Sequence, residues 1–134
     1  MRIDEIASSP DVTKCRKVAN LVRSVFGLKR KDAGFGMCAV VTVGMWDQLG
    51  QPRNLVPYSC MVGEEEHVVL RASDRTIIDP TCDQFDYPFY SSSGAGLYKS
   101  FYKLKPEEIG WIREEGADYL TRRKEKLANK KLTT

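Results

Sequence analysis

The fold of this chain is decided by a stretch that runs from His67 to Phe85 and reads HVVLRASDRTIIDPTCDQF. Its β-branched and aliphatic residues favour two short strands, and the polar residues Ser73 to Arg75 between them favour a turn. Pro80 ends the second strand, because proline has no N–H to donate to a sheet. A hairpin folds its far ends back together, so the sequence predicts that His67 and Asp79 lie side by side.

A cysteine upstream of this hairpin is the candidate nucleophile. The segment Gly34-Phe35-Gly36-Met37-Cys38 leads into a run that is apolar on nearly all sides and ends at Gly50, which predicts a buried helix. The β-branched residues 40–43 favour a strand instead, so propensity alone is ambiguous. A helix that begins at Cys38 would place the sulfur at the positive end of the helix dipole.

Taken alone, each of these residues has an ordinary structural explanation. A cysteine is commonly a small core residue, and an aspartate before proline commonly closes a turn. His67 is the only histidine of the chain. In the order Cys38, His67, Asp79 the three give a nucleophile, a base and a group that orients the base, which favours a catalytic interpretation.

Three segments carry a resemblance to known cysteine enzymes: Gly36-x-Cys38, His67-Val68-Val69-Leu70, and Ile78-Asp79-Pro80-Thr81-x-x-Gln84-Phe85. They resemble the papain-like and transglutaminase-like enzymes, and most of all the small papain-fold deamidase and protease domains of bacterial toxins and effectors. The resemblance spans roughly residues 34–85. The chain differs from many of these proteins in its short His67–Asp79 interval and in Val68 and Val69, where many of them carry tryptophan.

The resemblance implies an α+β fold in which a nucleophile helix packs on a small antiparallel sheet, with flanking N- and C-terminal helices. It also implies that Cys38 is the nucleophile, His67 the base and Asp79 the residue that orients the base. The expected reaction is attack on an amide of a protein or peptide through a thioester, as in a glutamine deamidase, a cysteine protease or a transglutaminase-like enzyme. We expect no cofactor.

Residues near the three catalytic candidates are predicted to contact the substrate: Gly36, Met37, Gln84 and Tyr87. The segment Asp86 to Gly96 is rich in aromatic residues, serine and glycine, so we expect a loop at the rim of the site. The acidic run Glu64-Glu65-Glu66 would help His67 to hold a proton if it lies near the ring.

The flanking segments carry helix and strand signals. Ser9, Pro10 and Asp11 predict a helix start, with Ser9 as the cap and Pro10 in the first turn. Apolar residues follow at helical spacing until Gly27: Cys15, Val18, Leu21, Val22, Val25 and Phe26. The other face carries Lys14, Arg16, Lys17 and Arg23, which indicates either a solvated face or a surface for an acidic partner.

The remaining elements are less regular. Residues 55–62 are a strand candidate interrupted at Pro57, and residues 97–104 are a candidate for the last strand. A C-terminal helix is predicted from Lys105 onward, weakened by Gly110 and Gly116, and its basic end from Arg122 to Lys131 is expected to fray.

Length and composition limit the kinds of protein that the chain can be. The 134 residues are expected to form one domain, and the mild net charge of +3 argues against a dedicated nucleic-acid binder. No apolar run reaches the roughly 20 residues of a membrane span, and residues 1–6 do not resemble a signal peptide. The four cysteines are scattered, as free thiols in a reducing compartment would be, so we expect a cytoplasmic protein, either in the producing cell or in one that receives it.

Two other interpretations remain open at this stage. The chain can be a catalytically inactive papain-fold module that binds a protein through the basic surface of its first helix. A metal site at Cys60, His67 and Cys82 is disfavoured, because the spacing matches no zinc pattern.

Overall fold

The computed structural model describes residues 10–28, 37–92 and 96–132. Within them it contains three α-helices, α1 (Val12–Val25), α2 (Cys38–Gln48) and α3 (Pro106–Leu132). The strands are β1 (Leu55–Val62), β2 (Glu65–Ala72), β3 (Ile77–Ile78), β4 (Tyr90–Ser91) and β5 (Lys99–Lys103), and a 3-10 turn spans Cys82–Gln84. All pairs are antiparallel, in the order β4-β3-β2-β1-β5. The predicted α+β class is confirmed.

Helix α2 begins at Cys38, as the sequence predicted. Its residues Val40 to Val43 are buried, and the packing on several sides outweighs the strand propensity of the valines. The helix ends where Gly50 adopts a left-handed φ of 84° and donates its N–H to Asp47 O at 3.0 Å. This closing turn uses carbonyls that would otherwise lack a donor, and it explains the glycine after the helix.

Helix α3 packs across α2 at a glycine. A Cβ atom at Gly116 would lie 2.9 Å from Cγ1 of Val40, so only glycine allows the two helices to come this close. The helix continues to Leu132, and Arg122 pairs with Asp118 one turn earlier at 2.7 Å. The segment from Arg122 to Lys131, which was expected to fray, is thus helical in the structure. No helix in the described ranges is long and apolar enough to cross a membrane.

Helix α1 begins later than predicted. Asp11 is its cap and accepts a hydrogen bond from the Lys14 N–H at 3.1 Å, so the cap is not Ser9, which lies outside the described residues, and Pro10 precedes the helix. Leu21 and Val25 are 56% and 49% exposed, which leaves a narrower buried stripe than the sequence pattern indicated. The predicted end at Gly27, with φ of 76°, is confirmed.

Strand β1 continues through Pro57 without the predicted interruption. The Pro57 carbonyl accepts a hydrogen bond from the Leu104 N–H at 3.2 Å, so this residue faces β5. A strand residue points its nitrogen and its oxygen to the same side. Pairing with β5 extends only to Tyr58 and Lys103. The N–H that Pro57 lacks would therefore point beyond the last pair of that ladder.

The predicted rim loop contains a short strand. Tyr90 and Ser91 form β4, which pairs with Ile78 and Ile77 of β3. Two residues are too few to show a strand periodicity, which explains why the sequence favoured a loop there. Residues 93–95 of the same segment lie outside the described ranges.

Candidate active site

The hairpin brings His67 and Asp79 into contact, as expected from the sequence. Nε2 of His67 lies 2.8 Å from Oδ2 of Asp79, and the two side chains are 1% and 0% exposed. The register pairs Leu70 with Ile78, so Asp79 is a diagonal neighbour of His67 on the same sheet face. Strand β2 begins at Glu65 rather than at His67.

Strand β3 is much shorter than its partner. It pairs only with Leu70 and Arg71, so β3 does not cover the edge of β2 at His67. The chain instead turns away after Ile78, and Asp79 faces the histidine from this side. The His67–Asp79 pair therefore lies at the part of β2 that β3 does not pair with.

The Asp79 carboxylate accepts hydrogen bonds on both oxygens. Oδ2 accepts from the hydroxyl of Tyr98 at 2.8 Å in addition to its contact with His67. Oδ1 accepts from the N–H of Thr81 at 3.1 Å and from its hydroxyl at 3.4 Å. A buried charge is tolerated when it is paired and hydrogen-bonded in this way. Because Nε2 is held by Asp79, Nδ1 is the ring nitrogen left for proton transfer.

Aromatic rings fix the plane of the imidazole. Tyr98 stacks on His67 with 6.2 Å between ring centroids and 13° between planes. Phe85 meets the same ring edge-on at 5.1 Å, and Tyr87 packs against both Phe85 and Tyr98. Tyr98 was not among the predicted site residues, because it lies 19 positions beyond Asp79 and no local motif marks it.

Cys38 is half-buried at the first position of α2. One turn later, the Thr42 hydroxyl donates to the carbonyl of Val68 at 3.0 Å, which ties this helix to the residue after His67. Residues four apart share a helix face, so Cys38 is held on the side that meets His67. Nδ1 of His67 nevertheless lacks a well-aligned hydrogen-bond partner among the described residues.

Charge in the site favours a protonated histidine. Burial by itself lowers the pKa of His67, but the hydrogen bond to Asp79 and the proximity of Cys38 outweigh it and raise the pKa to about 9. The acidic residues 64–66 are exposed and are not among the groups that act on His67, so the expectation that they hold its proton is wrong. An imidazolium stabilises negative charge on a neighbouring sulfur.

The other cysteines occupy different environments. All four cysteines are free thiols. Burial raises the pKa of Cys15, raises that of Cys60 to about 12 and raises that of Cys82 to about 11, and nearby aspartates add to each effect. Elevated pKa values make these three thiols poor nucleophiles near neutral pH.

The predicted substrate residues are placed unevenly. Gly36 lies outside the described residues, whereas Met37 is half-buried at the N-cap of α2 and packs against the helical core. Gln84 ends the 3-10 turn, and its Oε1 is buried without a hydrogen-bond partner in the described part of the chain. Tyr87 supports the rings around His67.

Two of the four basic residues of α1, Arg16 and Arg23, contact other parts of the chain. Nη1 of Arg23 lies 2.8 Å from Oδ1 of Asp83 and donates to Pro80 O at 3.3 Å, which anchors the segment after Asp79. Arg16 lies over the ring of Phe89 at 4.7 Å. These contacts make α1 a support for the site and leave fewer cations for an external partner.

Neither a metal site nor a known relative guides the assignment further. In residues 10–28, 37–92 and 96–132, no group of three or more His, Cys, Asp or Glu side chains converges as a metal would require. Comparisons with protein-family models, curated proteins and solved structures give no match. Function is therefore inferred from the geometry of Cys38, His67 and Asp79.

Proposed function

We propose that the chain is a thiol-dependent acyl-transfer enzyme of papain-like type, a cysteine hydrolase that acts on an amide of a protein or peptide. Glutamine deamidation and peptide hydrolysis both fit this chemistry. The observation that supports it most is the buried His67–Asp79 pair, 2.8 Å apart, beside the Cys38 thiol. A buried ion pair is commonly no more stabilising than well-packed apolar residues. Its place beside a thiol is therefore better explained by chemistry than by stability.

The first half of the reaction forms a thioester. The Cys38 thiolate attacks the amide carbon, and a carbon–sulfur bond forms as the carbonyl oxygen becomes an oxyanion. The first helical hydrogen bond of α2 runs from the Val41 N–H to Met37 O, so the N–H of Cys38 precedes it and can donate to the oxyanion. His67 gives the proton on Nδ1 to the leaving nitrogen, and the carbon–nitrogen bond breaks.

The second half releases the acid. His67, now neutral, accepts a proton from water through Nδ1 while the water oxygen attacks the thioester carbon. The carbon–sulfur bond breaks, and Cys38 returns as the thiolate beside the imidazolium. Asp79 keeps the Nε2 proton in place through both halves, so its role is to orient His67 and to stabilise its charge.

Alkylation rates of the four cysteines test the nucleophile directly. We expect iodoacetamide to modify Cys38 fastest at neutral pH, as mapped by mass spectrometry. The other three thiols serve as internal references, and Cys82 is the closest of them because it is half-buried like Cys38. In the variant His67→Gln the advantage of Cys38 should disappear, because the neighbouring positive charge is gone. A Cys38 that reacts no faster than the other three would favour the inactive binding module instead.

Turnover is measured on a pool of glutamine-containing peptides. Deamidation raises the peptide mass without creating new termini, whereas proteolysis creates new termini, so mass spectrometry separates the two. We expect Cys38→Ala to abolish either product and to keep the circular dichroism spectrum of the parent chain. Full product formation by that variant would overturn the mechanism.

A further inference from the structure

A cleft lies near the C-terminal end of α2, away from Cys38. It has a volume of about 680 Å³ and lies between α2, the start of β1, the end of β5 and the start of α3. Apolar side chains form its floor: Trp46, Val56, Pro57, Leu104, Pro106 and Ile109. With 1.5 Å per helical residue, Trp46 lies about 12 Å along α2 from Cys38. The cleft is thus separate from the candidate active site.

The polar groups of the floor are already satisfied inside the molecule. The indole N–H of Trp46 donates to Pro52 O at 3.1 Å, and the side-chain amide of Gln51 donates to Asp47 at 2.9 Å. The N–H of Leu104 donates to the carbonyl of Pro57. The floor therefore offers an apolar surface to an occupant.

The rim of the cleft carries positive charge. Arg53 comes from the segment between α2 and β1, and Lys103 and Lys105 flank Leu104 in the sequence. All three are exposed, and among the described residues none of them forms an ion pair. No acidic residue lines the cleft in the described ranges.

Two carboxylates near the cleft are already bound. Asp47 is held by the Arg113 guanidinium through two hydrogen bonds, the shorter of which is 2.6 Å. Glu108 accepts from the N–H of Lys105 at 3.0 Å, where it caps the start of α3, and from the hydroxyl of Tyr102 at 3.3 Å. Glu107, in the first turn of α3, is exposed and does not line the cleft, so the three cations of the lining keep an excess of positive charge.

We propose that this cleft binds an acidic segment of a partner protein, in which an aromatic or aliphatic residue is flanked by carboxylates. The apolar residue would occupy the floor, in a volume within the usual range for binding clefts. The carboxylates would meet the cations Arg53, Lys103 and Lys105, which line the same cleft. Charge complementarity of this kind selects partners and speeds their association. The proposal does not depend on the chemistry of Cys38.

Trp46 supplies the readout for the test. The chain has two tryptophans, and Trp111 is 65% exposed, so Trp111→Phe leaves Trp46 as the only tryptophan at little structural cost. The probe is a synthetic peptide with phenylalanine flanked on each side by two glutamates. We expect its addition to change the Trp46 fluorescence saturably. Peptides with lysine in place of glutamate, or alanine in place of phenylalanine, should bind at least about tenfold more weakly.

Charge reversal locates the binding. In the Trp111→Phe background, Lys103→Glu with Lys105→Glu should weaken binding by about tenfold, since two charge pairs are replaced by repulsion. Lys14→Glu with Lys17→Glu changes the net charge equally on exposed α1 residues outside the cleft and should leave the affinity nearly unchanged.

Three outcomes would overturn the proposal: no change in Trp46 fluorescence with the acidic peptide, equal weakening by both charge reversals, or binding to vesicles of anionic lipid without binding to the peptide. Alkylation of Cys38, measured on the same variants, reports separately on the proposed enzyme. A failure of one proposal is thereby distinguished from a failure of the other.

Discussion

Replacing Asp79 with asparagine should change how His67 titrates. In the parent chain the pKa of His67 is raised from its ordinary value of 6.5 to about 9, in spite of burial, because Asp79 and Cys38 favour the charged ring. Asparagine has nearly the same shape and no charge. Burial then opposes the imidazolium with only Cys38 left to favour it, and we expect the pKa of His67 in Asp79→Asn to fall well below that of the parent chain.

The same change has a defined effect on stability. A rise in pKa from 6.5 to about 9 corresponds to about 3 kcal/mol in favour of the protonated folded state. Because the folded pKa is the higher one, this contribution is complete below pH 6.5 and is lost as the pH rises through about 9. Because Asp79 supplies part of this shift and Cys38 the rest, the free energy of unfolding of Asp79→Asn should lie closer to that of the parent chain above this window than below it, by up to about 3 kcal/mol.

Two measurements check this expectation. His67 is the only histidine, so its ring gives a single imidazole signal that is followed by NMR from acidic to alkaline pH. Urea unfolding at several pH values gives the free energies. Asp118→Asn is the matched control, because Asp118 is 67% exposed in its pair with Arg122, and it should alter neither result. A His67 pKa at or below 6.5 in the parent chain, or one unaffected by Asp79→Asn, would refute the reasoning.

Three further substitutions test one hydrogen bond of the site and the packing of α3. Tyr98→Phe removes a buried hydroxyl that donates to the Asp79 carboxylate. The free energy of unfolding, measured by denaturation, should fall by about 1.5–3 kcal/mol, and the pKa of His67, measured by NMR, should rise further. An unchanged stability would contradict the hydrogen bond. Gly116→Ala places a methyl group 2.9 Å from Val40 and should destabilise the chain by about 1–3 kcal/mol, whereas Gly110→Ala, which meets nothing within 4 Å, should stabilise it by up to about 1 kcal/mol in the same denaturation assay.

The sequence was most informative where the relevant contacts are local. The turn between β2 and β3 is marked by its own residues, so the proximity of His67 and Asp79 could be predicted from a single short stretch. The start of α2 at Cys38 was also predictable, because the apolar run and Gly50 both mark that helix.

Contacts that join distant segments gave no such signal. Tyr98 reaches Asp79 only because the chain returns after β4, and the contact of Arg23 with Asp83 spans 60 positions. The interruption of β1 was predicted at Pro57 because proline has no N–H to donate. Whether a strand tolerates proline depends on which neighbouring strand the nitrogen faces, and the sheet order decides this. Such features require the tertiary structure.

The brevity of β3 has a consequence for how the molecule loses its site. Only two residues of β3 pair with β2, so Asp79 is anchored by side-chain contacts and by its N–H bond to Phe89 O at 2.9 Å rather than by a long ladder. A segment with so few ladder bonds opens at a lower free energy than the eight-residue pairing of β1 with β2. We therefore expect amide hydrogens of β3 and β4 to exchange before those of β1 and β2. We also expect mild denaturant to remove the fast alkylation of Cys38 while β1 and β2 are still paired. The segment that positions Asp79 and the paired strands β1 and β2 then unfold as separate cooperative units.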